Sequence, residues 1–195
     1  MVTIPFGESL NMMTAIEIKG EITETIETYD PAEWIAWKKR IRTGFPLDPR
    51  LAHFVYKQPK YYFGETFYVR KLLGQGFICW QERYQLFQPV KPSSKYYLYS
   101  MEIASLMDKK RVRQLHELQG RTPRLANPDI VAFHPEHSRW AFFEVKMPDD
   151  NIRANQVHGL AVLKYVLDAE IGIIRLLPNG KVKSPQTYRY NLTIS

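Results

Sequence analysis

Cysteine is almost missing from this chain. Cys79 stands alone, so no intramolecular disulfide can form, and no CxxC pair or Cys/His cluster suggests a structural zinc site. Long apolar runs are missing too: no stretch is long enough to span a bilayer. The first twenty residues carry Glu8 and Glu17 and lack a basic segment leading into an apolar block, which argues against a targeting leader. Nothing here needs an oxidising compartment or a membrane, and the simplest expectation is an intracellular (cytoplasmic) protein. Internal repeats and low-complexity segments are also absent. Acidic residues are the scarcer charge, 20 against 27 Lys and Arg, which leaves a formal net charge of +7. Such a surface attracts polyanions, nucleic acid or acidic membrane. With 195 residues and 45% hydrophobic content the chain can bury a core of ordinary size, and one compact domain with additions is expected.

Residues 14–22 alternate apolar and polar positions, the pattern of a strand or loosely ordered arm. Asp30, Pro31 and Glu33 then read as a helix start with a capping box, and the helix is expected to run to about Thr43. It carries Trp34, Trp37, Lys38, Lys39, Arg40 and Arg42, either a phosphate grip with aromatic support or a charged face over a tryptophan core. Residues 45–60 contain three prolines and read as a connector. A helix is predicted over 65–73, a strand over 77–87, a turn over 89–94 and a third helix over 100–118 with a mostly basic sector. Beyond Gly120 the rhythm sharpens: strand 130–133, turn 134–138, strand 139–146, helix 151–167 and strand 170–177. The predicted fold is α/β, a mixed central sheet flanked by helices. Residues 1–60 are read as an N-terminal extension and 61–195 as the core, with a helical insertion around 100–119.

The chemistry concentrates in the core. Asp129 opens one strand, and Glu144 and Lys146 close the next. A two-residue spacing puts Glu144 and Lys146 on one strand face and turns Val145 toward the other. Two carboxylates converging at a sheet edge suit a hard divalent cation, with the Val145 carbonyl as a further ligand. A neighbouring ammonium can orient or deprotonate an attacking water. Gln156 falls in the first turns of the following helix, where a neutral amide can hold that water, the lysine or a phosphate oxygen. The run Trp140-Ala141-Phe142-Phe143 is apolar on both faces, which marks a buried central strand, and charges at its end then need a purpose. The bland alternatives are a turn aspartate after proline, a cross-strand ion pair and a surface glutamine.

The segments Asn127-Pro128-Asp129-Ile130-Val131-Ala132-Phe133, Phe142-Phe143-Glu144-Val145-Lys146-Met147-Pro148-Asp149-Asp150 and Asn155-Gln156 resemble the PD-(D/E)xK nuclease superfamily. Within it they are most similar to the VRR-Nuc family. A Pro-Asp followed at a suitable distance by Glu-x-Lys arises by chance in roughly a few per cent of chains this long. The strand, strand and helix context and the glutamine add the weight. The resemblance implies a restriction-endonuclease-like core and Mg2+- or Mn2+-dependent hydrolysis of phosphodiester bonds, in DNA. It places metal ligands at Asp129 and Glu144, the catalytic lysine at Lys146, the helical glutamine at Gln156 and the turn aspartate at Asp150. Glu65 falls where many relatives carry a further metal-binding glutamate, and a first-turn glutamate serving the helix dipole is the equal alternative. Asp150 is read more readily as a helix cap. Two positions depart from the family: Met147 and Asp149 stand where turn glycines are usual. Lys109, Lys110, Arg111, Arg113, Arg121, Arg124 and Arg153 are the candidate nucleic-acid contacts. His134 and His137 are read as an exposed turn without a role. A noncatalytic nucleic-acid-binding module and an assembly protein are the competing functions, and cleavage of branched DNA would favour a homodimer.

Overall fold

A computed structural model describes residues 15–39, 62–122 and 124–194. Among these residues six strands form one mixed sheet in the order β2-β3-β4-β5-β1-β6. They are β1 (Ile16–Tyr29), β2 (Ile78–Gln81), β3 (Ile130–His134), β4 (Arg139–Lys146), β5 (Glu170–Pro178) and β6 (Thr187–Ile194). The helices are α1 (Pro31–Lys38), α2 (Phe63–Gly74), α3 (Tyr97–Leu106), α4 (Lys109–Gln119) and α5 (Ala154–Leu167). The protein is thus α/β, a mixed sheet with helices on both faces. Among the described residues no helix is long and apolar enough to cross a membrane.

The sheet is built around β4, whose positions 140–146 are all buried, as expected of a strand covered on both faces. It pairs antiparallel with β3 and parallel with β5. The crossover from β4 to β5 is made by α5. On one face Val131, Phe142 and Ile173 pack with Leu160, Leu163 and Val166 of α5 and with Ile103 and Leu115 of α3 and α4. On the other, Ile130, Ala132, Phe143, Val145 and Ile174 pack with Val69 and Leu72 of α2 and Trp37 of α1.

The alternation in residues 14–22 becomes a 14-residue strand lying between β5 and β6, parallel to the first and antiparallel to the second. A boundary drawn near residue 60 therefore cuts across the sheet. Asp30 caps α1 by accepting from the backbone N–H of Ala32 at 2.8 Å. Glu33 does not close the capping box: its carboxylate takes two hydrogen bonds from Arg70 on α2, each 3.2 Å. The expected continuation of α1 to Thr43 and the connector 45–60 lie outside the described residues.

The single helix expected over 100–118 is two. Met107 is extended, and the Asp108 side chain accepts from Lys110 N and Arg111 N, 2.8 and 3.2 Å away, to start α4 afresh. The strand expected over 77–87 ends at Gln81, because Glu82 and Arg83 both turn left-handed, φ 57° and 54°. β6 carries no motif and is absent from the predicted elements. It alternates inward Tyr190, Leu192 and Ile194 with outward Arg189, Asn191 and Thr193, as a half-buried antiparallel strand does.

The close contact that seats α5 is made by a glycine. A Cβ on Gly159 would lie 2.2 Å from the backbone oxygen of Ala126, in the segment leading to Asp129. That segment is further tied to α5 by the Ala126 N–H, which donates to the Asn155 carbonyl at 3.1 Å. Gly159→Ala is expected to destabilise the fold by about 1–3 kcal/mol, because backbone rather than a flexible side chain must move. Urea unfolding of the two proteins measures it.

Candidate active site

The site forms where β3 begins and β4 ends. One residue before β3 starts, Asp129 takes over from the backbone ladder: its Oδ2 accepts the Val145 N–H at 2.8 Å. The segment before it is held rigidly. The buried Tyr84 hydroxyl donates to the Pro128 carbonyl at 2.6 Å, and Asn127 accepts from Leu86 N at 2.9 Å while donating to Gln85 at 2.8 Å. The irregular stretch after β2 thus braces the loop that carries Asp129.

Glu144 and Lys146 share the α5 face of β4, as their spacing requires. The Lys146 ammonium lies 2.9 Å from Glu144 Oε2 and 3.4 Å from Asp129 Oδ2. Gln156 Nε2 donates to the same Glu144 oxygen at 2.6 Å. Its amide oxygen accepts the Arg153 N–H at 3.0 Å, so one side chain both caps α5 and reaches the carboxylate. Asp129, Glu144, Lys146 and Gln156 are therefore joined in one hydrogen-bonded cluster. Val145 packs its side chain into the opposite core.

Negative charge is in excess here. Burial and the neighbouring Asp129 push the Glu144 carboxyl well above the usual carboxylate range, against the opposing pull of Lys146. Glu65, in the first turn of α2, is raised to about 8 by burial first and by Asp129 second. Glu82 is raised by burial and Asp129 despite a hydrogen bond from Tyr62. Burial pulls the Lys146 ammonium down, but the charges of Asp129 and Glu144 outweigh it and leave its pKa raised. Glu144 Oε1 is buried and has no hydrogen-bond partner among the described residues. A buried carboxylate oxygen without a partner, among carboxyls that repel one another, is a poor arrangement for a metal-free core and a suitable one for a hard divalent cation. Asp129 and Glu144 are the carboxylates brought together here through Lys146, and Glu65 is close enough for the charge of Asp129 to raise it.

Asp150 does not cap α5, which starts at Ala154. Its carboxylate accepts the Met147 N–H at 3.0 Å and its own N–H donates to the Met147 carbonyl at 3.1 Å, closing the turn after Lys146. With non-glycine residues in it, this turn is stabilised from beneath by Arg175. The Arg175 guanidinium donates to the carbonyls of Met147 and Asp150, 2.8 and 2.5 Å, and pairs with Glu24 Oε1 at 2.5 Å. Both members of the pair are nearly fully buried, 1% and 3% exposed. Of the proposed nucleic-acid contacts, Arg124 and Arg153 are exposed on the two segments that carry Asp129 and Gln156. Lys109, Lys110 and Arg113 are exposed on α4, which packs against α5, while Arg111 and Arg121 are partly buried.

Sequence reasoning missed several groups around the cluster. Glu24 and Arg175 carry no local motif. Glu82 and Gln81 follow from the topology alone: Gln81 is in register with Ile130, next to Asp129, and is buried. It accepts a hydrogen bond from Thr66 at 3.2 Å, and its Nε2 has no partner among the described residues. Left-handed φ at Glu82 and Arg83 is the local strain that collects at functional sites, and no sequence signal announces it.

No family model matches the chain, and no curated protein does. Among solved structures, paFAN1 bound to 5'-flap DNA is 21% identical with a TM-score of 0.33, over 44% of this chain and 16% of that one. The Holliday junction resolvase Hjc of Archaeoglobus fulgidus is 16% identical with a TM-score of 0.33, over 67% of this chain and 84% of that one. The chain therefore spans about a sixth of paFAN1. Similarity this distant transfers no residue's role.

Proposed function

We propose that the protein is a divalent-cation-dependent nuclease of the PD-(D/E)xK type that hydrolyses phosphodiester bonds in DNA. The observation that carries the reading is the hydrogen-bonded cluster of Asp129, Glu144, Lys146 and Gln156 around a buried carboxylate oxygen without a partner among the described residues. Mg2+ or Mn2+ held by Asp129 and Glu144, with Glu65 and the Val145 carbonyl within the donor set, would supply the Lewis acidity that hydrolysis needs. The chain's own residues do the rest. Lys146, steadied by two carboxylates, places positive charge where charge develops on the phosphate and orients the attacking water. Gln156 fixes Glu144 and limits how far its oxygens can swing. Asp129 is held by the Val145 N–H, so it is positioned before any ligand arrives. Arg124, Arg153 and the basic face of α4 offer contacts for the phosphate backbone, which fix register without reading sequence. The net charge of +7 favours the encounter.

The test is a panel of supercoiled, linear, single-stranded and branched DNA, and RNA, incubated with the purified chain and Mg2+, Mn2+ or EDTA. Metal-dependent cleavage of DNA that EDTA abolishes is the expected result. Binding without cleavage of any substrate would instead assign a noncatalytic module, and preference for branched substrates would call for a measurement of the dimer.

A further inference from the structure

The other end of the β3–β4 hairpin holds a second group of ligating side chains. His134 is the last residue of β3, and Glu136 and His137 lie in the turn that follows. A ring nitrogen of each histidine and a carboxylate oxygen of Glu136 all lie within 4.8 Å of one another. Contrary to the expectation of an exposed turn, His134 is only 8% exposed. Its ring is stacked against that of His137 at 4.3 Å and meets the edge of Phe77 at 5.0 Å.

The hydrogen bonding of His134 decides which nitrogen is free. Its Nε2 lies 3.1 Å from the Gln75 carbonyl, which can only accept, so Nε2 carries the proton. In the neutral ring Nδ1 is then the lone-pair nitrogen, and it is buried with no partner among the described residues. A neutral imidazole whose far N–H is anchored on a backbone carbonyl while the other nitrogen is left open is the arrangement that prepares a histidine for a metal. The approach of Gln75 is made possible by Gly76, at φ +87°, where a Cβ would stand 3.2 Å from His134 Nε2. Arg139, the nearest cation along the hairpin, is turned toward the Phe77 ring and Glu170.

We propose that His134, Glu136 and His137 bind a borderline divalent transition ion, Zn2+, at the β3–β4 turn. Two imidazoles and one carboxylate suit Zn2+, whereas Mg2+ prefers oxygen donors in an octahedron. Three protein donors leave a fourth position for water or a donor from another molecule. The ion would lock the hairpin turn to the C-terminus of α2 through the His134–Gln75 bond. Asp129 and His134 stand at opposite ends of β3, about 17 Å apart at the usual strand rise, so the two sites are separate.

The test is zinc titration of the full chain, free of any polyhistidine tag, followed by imidazole 15N NMR with a chelating dye in competition. It is run in the native protein and in Glu144→Gln, which disables the Asp129–Glu144 site. In both, the His134 and His137 rings are expected to shift together and saturate at one equivalent. His137→Ala and Glu136→Gln, both at exposed positions, should keep the native circular dichroism and weaken this binding by about tenfold or more. Imidazole shifts absent at submillimolar zinc, or an affinity unchanged in His137→Ala, would overturn the assignment.

Discussion

Lys146→Ala is expected to lower the rate of DNA cleavage by about 10²- to 10⁴-fold, the usual contribution of a positioned proton-transfer or water-orienting group. The effect should fall on the single-turnover rate rather than on DNA affinity, since Lys146 is buried and contributes little to the exposed basic surface. A second consequence separates this from a merely structural lysine. Without the ammonium, Glu144 keeps the hydrogen bond from Gln156 and faces Asp129 with no cation between them. The metal-free variant should therefore be less stable than the native protein, and adding Mn2+ should raise its melting temperature by more than it raises that of the native protein. Single-turnover kinetics and calorimetry with and without Mn2+ check both halves. An unchanged cleavage rate would remove Lys146 from the mechanism.

The largest expected effect on stability belongs to the Glu24–Arg175 pair. Glu24→Gln leaves a nearly fully buried guanidinium without its counter-charge, and breaking a buried pair in this way costs about 3–5 kcal/mol. The pH dependence has a definite sign. Burial alone would raise the Glu24 carboxyl, but the hydrogen bonds from Arg175 and Tyr188 outweigh it and hold the pKa below the ordinary 4.5. A group with a depressed acid pKa contributes fully above its unfolded value and loses that contribution as pH falls through the folded one. The gap between native protein and Glu24→Gln should thus be constant near neutrality and close below about pH 4.5. Denaturant unfolding across pH measures this. A double replacement, Glu24→Met with Arg175→Met, should recover much of the stability, because an apolar pair of similar volume often substitutes well. It would still deprive the Met147 and Asp150 carbonyls of their donor and loosen the turn that follows Lys146. A well-folded double variant with slowed cleavage would show that this pair positions the site as well as stabilising the fold.

Strand, strand and helix around the cluster were legible because the signal is local. Glu144 and Lys146 are two apart on a strand that is apolar on both faces, and Gln156 opens the next helix, so period and order alone bring them to one place. Asp129 joins them because β3 and β4 are consecutive strands, which usually pair. Other parts depended on pairings distant in sequence. Glu24 and Arg175 are 151 positions apart, and only the placement of β1 beside β5 makes them neighbours. β6 follows no motif and is fixed by β1, whose outer edge it covers. The break between α3 and α4 turned on Asp108, where a capping carboxylate overrode an apolar spacing that runs on through Met107 and Val112. The turn expected over 134–138 starts one residue later, because the strand extends through His134 and buries it.

The central claim is that Asp129 and Glu144 form a divalent-cation site, and Mn2+ binding followed by electron paramagnetic resonance tests it most directly. The free Mn2+ signal should fall on adding the native protein, and Mg2+ should restore it by competition for oxygen donors. Asp129→Asn and Glu144→Gln should each abolish the Mg2+-competed fraction while leaving the fold intact. Mg2+-competed Mn2+ binding that survives both substitutions, or none in the native protein, would contradict the account.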